Sequence, residues 1–113
     1  MAPYEIRDMT LKELREARKA MVSWEYYKAL KHLSAEKQQE SKILLADIIY
    51  ALEEMRTTEW QSIREKLLLN EAELVAGSES LDKALQNLKK IEKVMAIAAN
   101  FLSVVGRVIK LVV

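Results

Sequence analysis

Only two glycines (Gly77 and Gly106) and one proline (Pro3) interrupt 113 residues. Tight turns lean on those residue types, and a strand-rich fold needs a turn every few residues. A chain so poor in them must be built from long elements. Leu, Ala, Glu and Lys dominate what remains, so the long elements are helices. Half of the residues are apolar and under a third are charged, a balance that suits a folded chain rather than a disordered one. With no cysteine, disulfides, thiolate metal sites and thiol nucleophiles are excluded.

The pattern predicts three helices, near residues 11–33, 35–70 and 79–113, forming a single all-α domain. Thr10 and Glu13 stand as a capping box, with Met9 and Leu14 placed for a hydrophobic staple. Leu14, Ala17, Met21, Trp24 and Tyr27 then recur at helical spacing. By that spacing Trp24 and Tyr27 belong to the core, and Tyr26 does not. Ser34 is the next cap, with Glu36 in its first turn. The second helix is most apolar from Ile43 to Leu52, and Thr57 and Thr58 suggest a bend. Asn70 is a place for it to end. Gly77 reads as a helix C-terminus, and Ser78 or Ser80 as the cap that follows.

The last stretch carries the most regular pattern. Leu81, Ala84, Leu88, Ile91, Met95, Ala98, Leu102, Val105, Ile109 and Val112 alternate spacings of three and four, a heptad seam. Helices of about 35 residues span about 50 Å. Two of them would form a long antiparallel hairpin across Gly77, with the shorter N-terminal helix laid along it as a three-helix bundle. One short helix does not cover all the apolar surface of the other two. The expectation is therefore a homo-oligomer, or a helical protein partner, with Leu88, Ile91, Met95, Leu102, Val105 and Ile109 as core or interface positions.

Charge is uneven: +2 over residues 1–33, −4 over 34–76 and +3 over 77–113. Packing of an acidic middle between basic ends accounts for this without an external partner. No motif for chemistry stands out. His32 is the lone histidine and has Ala29, not Glu, three residues before it, so the di-iron pattern is missing. Glu53 and Glu54 are adjacent and point about 100° apart on a helix. No phosphate loop, nucleophile elbow or zincin motif is present. The reading is a non-enzymatic interaction or assembly module, with no catalytic residue, cofactor or metal, in the cytoplasm. The N-terminus, MAPYEIRDMT, lacks the basic start and apolar core of a secretory signal.

Three further readings compete. Residues 94–113 form a 20-residue apolar stretch, long enough for membrane association, although Arg107 and Lys110 interrupt it. Residues 9–21, MTLKELREARKAM, resemble the opening helix of lambda-repressor-type helix-turn-helix domains, and VSWEYYKALKHLS, 22–34, resembles their second. The resemblance implies DNA binding through Gln38, Gln39 and Lys42 on a following recognition helix. Lys31 and His32 stand where that family has a glycine, and Lys28 where it buries a small residue. Trp24, Tyr26 and Tyr27, set among Lys19, Lys28 and Lys31, also suit a single-stranded nucleic acid as stacking partner.

Overall fold

The computed structural model describes residues 1–110, and all of the regular elements among them are helices. Six helices follow in order: α1 Pro3–Met21, α2 Trp24–Leu30, α3 Ala35–Thr57, α4 Trp60–Leu69, α5 Glu71–Leu85 and α6 Ile91–Val105. The all-α class agrees with the sequence, but the number and ends of the helices do not. The molecule measures 43 × 25 × 18 Å, too short for helices of about 50 Å.

Each difference has a local cause. α1 starts two turns before Thr10, because Pro3 occupies its first turn and the Glu5 carboxylate accepts from the backbone N–H of Ala2 at 2.8 Å. Thr10 is therefore inside the helix, buried, and donates to the Ile6 carbonyl rather than capping. The expected first helix is cut at Ser23, whose hydroxyl donates to the Ala20 carbonyl (2.6 Å) and accepts from the Tyr26 N–H (3.3 Å). Ser34 caps α3 as its sequence suggested, accepting from the Lys37 N–H at 3.1 Å. Thr58 is extended and ends α3, and Asn70 separates α4 from α5. The expected 35–70 helix is thus two.

The C-terminal half departs further. Gly77 lies in the middle of α5, and Ser78 and Ser80 are helix interior rather than caps. A Cβ on Gly77 would stand 2.8 Å from Cδ1 of the Phe101 ring. The glycine is there to let α6 approach α5 closely, a packing role rather than a turn. The chain reverses instead over residues 86–90, inside the expected third helix. α5 and α6 form the most extensive helix pair, and α1 packs on α3, α4 and α5. The core runs from Ile6 on α1 to Phe101, Val105 and Ile109 at the other end of the chain.

Candidate interaction surfaces

The six seam residues sit mainly inside the chain's own core. Ile91, Met95, Leu102, Val105 and Ile109 are buried, and Leu88 in the reversing loop is half-buried. The seam folds back on itself at 86–90, so α5 and α6 present their halves of it to the same interior. Val112, the last seam position, lies outside the described residues.

The aromatic cluster is inverted relative to its spacing. Tyr26 is 1% exposed, with its hydroxyl 2.6 Å from Ser41 Oγ of α3. Burial pushes its pKa up, opposed by the Ser41 hydrogen bond. Trp24 and Tyr27 are 65% and 52% exposed. Their spacing placed them in the core only if α1 continued through Ser23. The break there restarts the helix and turns its inner face to Tyr26 and Ser41.

Trp24 and Tyr27 stack on each other, with ring centroids 5.3 Å apart and planes inclined by 24°. Lys28 Nζ and Lys31 Nζ stand 5.9 Å from the centroids of Trp24 and Tyr27 respectively. Three grooves open around this end of the molecule, and residues of the 86–90 loop line each of them. The first, about 300 Å³, carries Lys83, Lys90 and Lys93, and no carboxylate lines it. The second, about 590 Å³, holds Trp24 and Lys19 together with Glu16, Glu25 and Asp82. Between them in character is the third, about 450 Å³, with Lys28, Lys89, His32 and Glu25. Leu88, the seam residue left out of the core, lines the second and third.

Beneath the acidic groove lies Glu13 of α1, 8% exposed, with Oε2 lacking any hydrogen-bond partner. Burial, then the carboxylates of Asp82 and Glu16, push its pKa up to about 7, against a smaller opposing effect of Lys12. Among the described residues no group of three or more His, Asp or Glu side chains is placed to hold a metal ion.

A second surface is the outer side of α3. The helix packs on α1 and α6 through Leu44, Ile48, Ala51 and Met55, while Ile43 and Ile49 remain 55% and 47% exposed. They flank exposed Ala46 on the side opposite the core. Gln39 and Lys42, which the helix-turn-helix resemblance assigned to recognition, lie exposed on this helix, and Gln38 instead donates to the Leu33 carbonyl at 3.0 Å. At the α4–α5 junction Leu68 and Leu69 are also exposed, in a groove that Glu71 and Glu79 line.

No helix among the described residues is long and apolar enough to cross a membrane. α6 is 15 residues long and takes in only 94–105 of the apolar 94–113 stretch, and Arg107 beyond it pairs with Glu73 of α5 at 2.6 Å. Comparison with known proteins found no matching family model, curated protein or solved structure.

Proposed function

We propose that this chain is a non-enzymatic helical assembly module that pairs with a second copy of itself along the outer face of α3. The observation that carries the reading is the exposure of Ile43 and Ile49 around Ala46 on a helix whose other side is in the core. Gln39, Ile43, Ala46, Tyr50 and Glu53 follow each other at spacings of four, three, four and three, which makes a short heptad seam facing outward. Ala46 at its centre leaves room for close approach. Glu53 at its end is held by Arg56 of the same helix at 2.6 Å.

Charges beside the seam favour one orientation. Lys42 and Arg56 flank one edge, and Glu40, Asp47 and Glu54 the other. In a parallel pair Lys42 meets the partner's Asp47, five residues on, and both edges are complementary. An antiparallel pair would set the acidic edge against itself. The C-terminal seam is already committed to the chain's own core, so self-association falls to α3.

Light scattering coupled to gel filtration tests this directly. The expected result is a discrete dimer, reduced to monomer by Ile43→Glu with Ile49→Glu at unchanged helical circular dichroism. Lys42→Glu should weaken the dimer and Asp47→Lys in the same chain restore it. A wild-type monomer at concentrations on the order of 100 μM would rule out all but very weak pairing and end the proposal. A dimer indifferent to both pairs of substitutions would also do so, and an aggregate resolved only by detergent would favour the membrane reading.

A further inference from the structure

The exposed side of α2 and the neighbouring 86–90 loop together present two features that single-stranded nucleic acid requires. One is an exposed aromatic platform, the stacked Trp24 and Tyr27. Every base has a π-face, so stacking on such rings needs no particular sequence. The other is a concentration of cations without matching carboxylates. Lys83, Lys90 and Lys93 line one groove with no acidic residue, and Lys28 and Lys89 outnumber Glu25 in the next. None of these five lysines makes an ion pair among the described residues.

We propose that this end of the chain binds single-stranded nucleic acid, with bases on Trp24 and Tyr27 and phosphates along Lys28, Lys89, Lys90, Lys93 and Lys83. The second groove gives the path its direction. Trp24 lines its edge, but Glu16, Glu25 and Asp82 outnumber Lys19 there, so phosphates are repelled from it and the favourable route from the platform runs over Lys28 and Lys89 across the 86–90 loop. The start of α6 adds to the attraction: Lys90 is its N-cap position and no side chain caps it, so its first N–H groups face this basic region. An acidic peptide would be drawn by the same lysines but gains little from two stacked rings. The platform is what favours a nucleic acid.

The test uses the full chain and a fluorescently labelled dT20, followed by anisotropy, with tryptophan fluorescence recorded in a Trp60→Phe background. Binding is expected at low salt, with quenching of Trp24 and a linear fall of log affinity with log salt of about 0.7 per phosphate neutralised. Trp24→Ala should weaken binding roughly tenfold, within the range for one stacked base. Lys83→Gln, Lys90→Gln and Lys93→Gln together should lower the salt slope by about 2. All of these side chains are exposed, so circular dichroism should show the fold unchanged. Ile43→Glu, which addresses the α3 pairing, should leave base stacking and its quenching intact. Absence of binding at low salt overturns the proposal. Binding that ignores Trp24→Ala also overturns it, as does equal competition by poly-glutamate, which would assign the surface to acidic peptides.

Discussion

Glu13 is a carboxylate placed where a carboxylate is poorly solvated. It lies on the α1 face that meets α5, buried, with Asp82 and Glu16 as charged neighbours and no hydrogen bond to Oε2. Its pKa in the folded chain, about 7, is above the ordinary 4.5. An acid raised by folding holds its proton better in the native state, so the native state binds more protons between those two values. Stability therefore falls as pH rises from about 4.5 to about 7, and the loss persists above. One pKa unit corresponds to about 1.4 kcal/mol, and partial access to water lowers what the whole shift delivers. Glu13→Gln is expected to raise stability at pH 8 by about 1–2 kcal/mol and to leave it little changed at pH 4. Urea denaturation at both values checks this; an equal effect at the two would separate the residue from its protonation. Tyr26 shows the opposite solution, a buried hydroxyl that meets Ser41 at 2.6 Å and so keeps its hydrogen bond.

At the scale of the element, helices here end where a side chain competes for the backbone. Ser23, Ser34 and Asn70 each accept from or donate to main-chain groups within a turn. The packing of α5 on α6 turns on the absence of one carbon. Gly77→Ala would gain about 1 kcal/mol of helix propensity. It would also drive a methyl to 2.8 Å from a phenyl ring that is itself 1% exposed. Overpacking of that kind costs about 1–3 kcal/mol, so a net loss is expected, seen as a melting temperature lower by about 4 °C or more. Gly77→Ala combined with Phe101→Leu should recover part of it. If Gly77→Ala alone melts higher than the parent, propensity outweighs the contact and the close approach is softer than its geometry implies.

For the whole molecule, the important division is between apolar surface that closes the chain's own core and apolar surface left outside. The sequence holds both kinds at similar density, and α6 and the outer face of α3 exemplify them. Leu102 is 6% exposed in the core cluster shared by α5 and α6, whereas Ile43 is 55% exposed. Introducing an acid at each should have different consequences. Leu102→Asp buries a charge without a partner, a loss comparable to the 5–15 kcal/mol that holds an entire domain together. It is expected to abolish the cooperative thermal transition, while Ile43→Glu leaves that transition in place. A Leu102→Asp chain that melts as the parent does, but with half the mass, would return the C-terminal helix to the role of an intermolecular interface.

The sequence by itself determined the class of fold and several boundaries. Scarcity of glycine and proline with helix-forming residues leaves helices as the way to satisfy the backbone, and Ser34, Thr58 and Asn70 act within a few residues of themselves. Such effects are local, so they are legible in one dimension. The 86–90 reversal was hidden because the seam keeps its heptad phase through it, and spacing cannot tell one long helix from two that face each other. Gly77 looked like a turn because its close contact, Phe101, lies 24 residues along the chain. Spacing alone puts Trp24 and Tyr27 in the core for a related reason: whether Trp24 or Tyr26 faces inward depends on the break at Ser23 and on Ser41 of α3. Which apolar residues are left for a partner depends on which ones the chain itself covers, and that is decided only when distant segments meet.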